Sequence, residues 1–189
     1  VIPLIVTPLG IQFGIRTLRK DADSSARDPL TGLLNRRGLH LHFGDLLELG
    51  EVLNGAIAVV VVDLDRFKHV NDTYGHGVGD KVLVRCARLI RGAVGSRALI
   101  ARVGGEEFVV VDLADPRRAG QIAEAIRQAI MASKDHPAVT ASAGATSVAY
   151  TQFTTSDRHP RLLLDAVIAR ADHAMFYAKR NGGNTAHYE

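Results

Sequence analysis

Two short stretches carry the residues best suited to chemistry. Asp63 and Asp65 close the apolar run AIAVVVVDLD (56–65), and Gly104, Gly105, Glu106 and Glu107 form GGEE between ALIARV and FVVVDL. Side chains alternate along a strand, so Asp63 and Asp65 point to one face. A strand ending in acids, set beside a turn bearing two more, makes a compact cluster of oxygen ligands. Hard cations such as Mg2+ take oxygen and usually arrive with substrate phosphates. Gly104 and Gly105 would let a phosphate approach the backbone without a Cβ in the way. No histidine or cysteine spacing suggests zinc, and the phosphate loop GxxxxGK[ST] is absent. The combination predicts metal-assisted phosphoryl transfer. Acids at strand ends are often merely solvated; that plain reading is preferred for Asp65 alone, but not for the two clusters together.

The stretch DLDRFKHVNDTYGHGVGD (63–80) adds detail. Lys68 lies just past the acids, where its ammonium can sit on phosphates as a point charge. Asn71 and Asp80 together can read a donor–acceptor edge: a carboxylate accepts the N1–H and 2-amino protons of guanine, a pair that adenine lacks. Each has a plain alternative. Asp80 can cap the helix KVLVRCARLI, and Asn71 can be a turn residue. His76 reads as a loop residue that makes hydrogen bonds.

These residues need a scaffold, and the hydrophobic pattern supplies one. The valine-rich run 56–65 has no charge until its end, as expected of a strand buried on both faces. VGDKVLVRCARLIRGAV has helical spacing, ALIARV and FVVVDL flank GGEE as a hairpin, and AGQIAEAIRQAIMAS is helical. AVTASAGATSV alternates like a strand, LLLDAVIARADHAMFYAKR is a long amphipathic helix, and NTAHYE closes with a short strand. Upstream, LTGLLNRRGLHLHFGDLLELG (30–50) is expected to be helical throughout. From Ala56 the order strand, helix, hairpin, helix, strand, helix implies a central sheet with helices packed on it, an α/β (α+β) βαββαβ core.

The 189 residues suffice for one domain with a real core. With 47% apolar and 23% charged residues the chain is ordinary globular protein. Its formal charge of +3 gives no strong nucleic-acid signature, so no nucleic-acid partner is expected. The single cysteine, Cys86, excludes an internal disulfide and is expected to be a buried structural thiol. VIPLIVTPLGIQFGI carries no charge and is followed by Arg16, Arg19 and Lys20. It reads either as the tail of a transmembrane helix with a cytoplasmic basic cluster or as an apolar segment packed on the domain or on a partner; the membrane reading is preferred. RKDADSSARDP reads as a linker, so residues 1–26 are expected to be an apolar segment and linker, and 27–189 the domain.

The blocks DPLTGLLNRRGL, DLDRFKHVNDTYGHGVGD, RVGGEEF, TASAGAT and ADHAMFYAKRNGGN resemble, in order, those of the GGDEF family of diguanylate cyclases, with GGEEF as the variant signature. The resemblance implies a ferredoxin-like palm with a mainly antiparallel sheet, as in nucleotidyl cyclases. It also implies condensation of two GTP into cyclic di-GMP and two pyrophosphates, one GTP per domain across a homodimer. Carried over, Asp63 and Glu106 would ligate Mg2+ (or Mn2+), with the Leu64 backbone carbonyl as a third donor. Lys68 and Lys179 would meet the phosphates, Asn71 and Asp80 would read guanine, and His76 would lie near the sugar. Glu107 would help metal binding or activate the 3′-hydroxyl. The implied setting is a cytoplasmic domain tethered to the inner face of a bacterial membrane, controlled by a sensor upstream of Val1. Two departures stand out. The product-inhibition motif RxxD is replaced by Gly95 and Ala98, with Arg97 out of register, so no product inhibition through that primary site is expected. Gly183 stands where the family usually has a basic residue, so one phosphate contact is expected to be either lost, with weaker affinity for GTP, or supplied by Arg180. A regulatory module that holds GTP without turning it over is the alternative function. A mixed GMP–AMP product is disfavoured by Asp80.

Overall fold

The computed structural model describes residues 25–53, 55–155 and 159–189. Its elements are α1 (Arg36–Leu53), β1 (Ala56–Leu64), α2 (Phe67–Tyr74), α3 (His76–Ala93), β2 (Leu99–Arg102), β3 (Glu107–Ala114), α4 (Arg118–Met131), β4 (Ala141–Ala149), the single turn α5 (Thr151–Thr154), α6 (Pro160–Arg180) and β5 (Ala186–Tyr188). The strands form one sheet in the order β2-β3-β1-β4-β5. Every pair is antiparallel except β4 with β5. The expected βαββαβ core is therefore present, with β5 added at one edge.

β1 is buried along its whole length because both faces are covered. Ala58, Val60, Val62 and Leu64 join the core under α3 and α4, whereas Ile57, Val59 and Val61 join the core under α1 and α6. That explains why the strand reads as continuous valine rather than as an alternation. Its central position also sets the site. Asp63 pairs with Glu107 on β3 and with Ser142 on β4, so the end of β1 and the GGEE hairpin are direct neighbours.

α6 crosses this sheet at close range. A Cβ on Gly144 of β4 would collide with the backbone of Ala171, Ala174 and Met175 in α6. The helix starts at Pro160, a proline at its favoured first position, with the His159 ring accepting from Arg161 N. It ends in Lys179 and Arg180, followed by Gly182 and Gly183 at φ 109° and 71°. Backbone of that hand suits glycine, and it turns the chain back towards β5.

Three boundaries differ from the expectation. The segment expected to be helical from Leu30 becomes helix only at Arg36; before it, Arg27 bridges Leu34, and Leu34 bridges Ala101 of β2. α3 starts at His76, four residues before Asp80, because Gly75 at φ 82° breaks the chain between α2 and α3. Asp80 therefore does not cap that helix, and Asn71 lies inside α2 rather than in a turn. Cys86 is buried, and burial pushes its thiol up to about 11, as expected of an inert structural thiol. The membrane expectation for the first fifteen residues falls outside the described residues. Among the described residues no helix is long and apolar enough to cross a membrane.

Candidate active site

Three charged groups meet where β1 ends. Asp63 is 6% exposed. Lys179 Nζ, delivered by the last turn of α6, lies 2.6 Å from its Oδ1 and 3.9 Å from Glu106 Oε1. The contact with Asp63 is a close, charge-assisted pair in which the ammonium is the partner of the buried Oδ1. Burial pushes the Asp63 carboxyl above its usual range, with Glu107 and Asp65 adding to the rise and Lys179 opposing it. Glu106 is raised as well, by burial first and then by Asp63 and Glu107, again against Lys179. One ammonium thus holds together carboxylates that repel one another.

The signature turn is held from two sides. Leu64 N donates to Glu106 O at 3.3 Å, tying the turn to β1. Arg102 donates from Nη2 to Gly105 O at 2.8 Å and from Nη1 to both Asp28 oxygens at 3.1 and 3.2 Å. Asp28 also accepts from the Thr31 amide and hydroxyl. Burial alone would raise Asp28, but Thr31 and Arg102 hold its carboxyl below the ordinary value. Gly104 has a different reason from the one its sequence suggested. A Cβ there would strike the Glu107 carboxylate, which packs over it, whereas Gly105 faces open space. Of the pair, Gly105 is exposed and the more open to an incoming group, while Gly104 is half-buried.

The remaining candidates sit on α2 and α3. Lys68 is exposed and has no carboxylate partner among the described residues. The Asn71 amide lies against Gly79, where a Cβ would collide with its Oδ1, so Asn71 is packed beside the residue that precedes Asp80. His76 opens α3 and is exposed. Arg180 lies over the Phe176 ring, 5.8 Å from its centre. Gly183, at φ 71°, is packed against Asp65.

Three contributors hold the site: Asp65, which alone was expected to be merely solvated, and two that sequence reading missed. Asp65 points to the same face as Asp63 but is fully engaged, accepting from Thr140 Oγ1 and Ser142 Oγ at 2.7 Å each and from Asn184 N at 2.8 Å. Arg127 Nη1 reaches Asn184 Oδ1 at 2.9 Å, a second anchor for the turn after Lys179. Arg102 is the third. The arginine beside the signature was readable; its partner Asp28, 74 residues away, was not. Among the described residues no three His, Cys, Asp or Glu side chains gather closely enough to hold a metal by themselves.

Comparison with known proteins gives a consistent picture. Residues 25–185 match the family described as diguanylate cyclase, GGDEF domain. The chain is 38% identical over 162 residues to the diguanylate cyclase DgcZ of Escherichia coli K12, covering 85% of this chain and 52% of that one. It thus spans about half the length of DgcZ, and only 19% and 24% of two other curated relatives. Its fold is similar to the coiled coil and GGDEF domain of DgcB from Caulobacter crescentus, solved with c-di-GMP (TM-score 0.77, 25% identity, 95% of this chain and 94% of that one). It also resembles the active GGEEF domain of a diguanylate cyclase from Vibrio cholerae (TM-score 0.69, 30% identity, 82% of this chain and 97% of that one).

Proposed function

The chain belongs to the GGDEF family of diguanylate cyclases, and from that premise we propose that it condenses two GTP into cyclic di-GMP with release of two pyrophosphates. Each domain, residues 27–189, holds one GTP, and two domains face each other so that each 3′-hydroxyl attacks the α-phosphate of the other nucleotide. The observation that carries this reading is the meeting of Asp63, Glu106 and Lys179 at the foot of the signature turn.

The residues divide the work. The Asp80 carboxylate accepts the two guanine protons, and Asn71, packed against Gly79, completes the base-reading edge. Lys68 and Lys179 meet the phosphates as point charges, Gly105 leaves room for them, and His76 borders the sugar. Asp63, Glu106 and the Leu64 carbonyl form an oxygen donor set that fits a divalent cation, Mg2+ or in its place Mn2+. Two neighbouring carboxylates that burial and mutual repulsion make reluctant to ionise, with one ammonium between them, favour an arriving cation. Such an ion, when bound, neutralises phosphate charge and activates a hydroxyl. Glu107, packed over Gly104, stands ready to take the proton of the incoming 3′-hydroxyl. Most of the rate comes from positioning and electrostatics, as in other phosphoryl transfers. In this reading the N-terminal residues 1–26 link the domain to a membrane segment and an upstream sensor, and set how two domains meet.

The test is incubation of purified chain with GTP and Mg2+ over a range of protein concentrations, with products identified by mass spectrometry. Cyclic di-GMP that rises more steeply than protein concentration supports the cyclase and its need for two domains. GTP binding without product at any concentration supports the regulatory module instead. Asp80→Ser is expected to loosen the preference for guanine over adenine nucleotides.

A further inference from the structure

On the outer side of α3 lies a cavity of about 600 Å3 whose wall includes Asp80, Lys81, Arg85, Arg88, Asp135 and His136. Lys81, Arg85 and Arg88 recur at i, i+4 and i+7, so the three cations stack along one stripe of the helix. Like charges at that spacing destabilise a helix unless something answers them. The middle one is the unusual member. Arg85 is only 6% exposed, whereas Lys81, Arg88, Asp135 and His136 are exposed. Its Nη2 donates to Pro137 O at 2.7 Å, the guanidinium lies beside the Cys86 thiol, its Nε is buried without an aligned partner, and no carboxylate of the described residues pairs with it. A guanidinium carries five donors and no acceptor, and a buried charge without a counterion is costly. Neither acid on the wall forms a salt bridge with Arg85: Asp80 lies one turn into the helix, and Asp135 is exposed and accepts from Ser133 at 3.3 Å.

From this arrangement we infer that the cavity binds a phosphate-class oxyanion, with Arg85 forked onto it and Lys81 and Arg88 closing from the rim. A planar guanidinium offers two parallel N–H groups to two oxygens of one phosphate. The loop bearing His136 is already positioned by the edge-on contact of that ring with Tyr74, at 5.5 Å between centres. The cavity exceeds a bare phosphate in size, leaving room for a body attached to it. The site shares Asp80 on its wall with the proposed guanine reader, but its cations are not those assigned to the phosphates of GTP.

The test follows the Arg85 Nε–H resonance by NMR in the whole chain while inorganic phosphate is added at constant ionic strength against chloride. A saturable shift with phosphate and none with chloride is the expected result. It should weaken several-fold in Arg88→Ala and in Lys81→Ala, both exposed positions that leave the fold intact, and persist in Lys68→Ala. Ribose 5-phosphate run beside phosphate separates the sources. Tighter binding of the ester points to a phosphorylated small molecule, and equal binding points to the bare anion. A resonance that does not move, moves without saturating, or loses its response in Lys68→Ala overturns the assignment.

Discussion

Asp63 and Asp65 stand two residues apart at one strand end, face the same side and meet opposite surroundings. Asp65 has its oxygens filled by Thr140, Ser142 and the Asn184 amide. Asp63 is more deeply buried and is answered by one ammonium, Lys179, that also faces Glu106. A buried carboxylate answered by one ammonium, with Glu107 and Asp65 adding to its reluctance to ionise, is costly to keep charged. The carboxylate that the fold satisfies serves the fold. The one set among other acids is suited to a cation that arrives from outside.

The largest effect that tests this contrast is on turnover. Asp63→Asn is expected to cut cyclic di-GMP formation at least about 100-fold, read by product mass, while raising stability by roughly 0.5–2 kcal/mol in a urea titration. An active or destabilised variant would break the comparison. Asp65→Ala should do the reverse, losing roughly 3 kcal/mol of stability as three donors are stranded and losing activity only as far as Lys179 is displaced. Gly144→Ala is expected to cost about 2 kcal/mol by overpacking and to raise KM for GTP, because it pushes on the helix that carries Lys179.

The smallest effect is on pH dependence. Asp63 binds its proton more tightly folded than unfolded. Its contribution to stability is therefore full below the ordinary value of 3.8 and lost as pH rises through the raised one. The stability advantage of Asp63→Asn over the parent should accordingly grow with pH across that window. Asp28 behaves oppositely: its lowered carboxyl contributes above 3.8, and the contribution is lost on acidification. An advantage that shrinks with rising pH would mean that Lys179 outweighs burial at Asp63.

Local pattern carried much of this structure. The valine run, the hairpin around GGEE and the alternation from Ala56 onward were readable because burial on both faces and glycine-bearing turns leave signs within a few residues. So was the meeting of Asp63 with GGEE, which needs only that β1 and β3 be neighbours. What was hidden depends on partners far along the chain. The Asp28–Arg102 bridge, the bond from Asn184 to Asp65 and the burial of Arg85 against Pro137 span 74, 119 and 52 residues. The start of α3 was misplaced for a local reason. Asp80 has the chemistry of a cap, but the break at Gly75 comes first and makes His76 the opening residue.

Gly144 carries no charge, no donor beyond its backbone and no place in the signature, yet α6 rests directly on it. The distance between β4 and the helix that presents Lys179 is thus gauged by the absence of one methyl group. An intact set of signature acids is therefore an incomplete certificate of activity. A chain with every acid in place could be silenced from behind the sheet, and diagnosing an inactive relative should begin by inspecting this strand–helix spacing as well as the residues that touch the nucleotide.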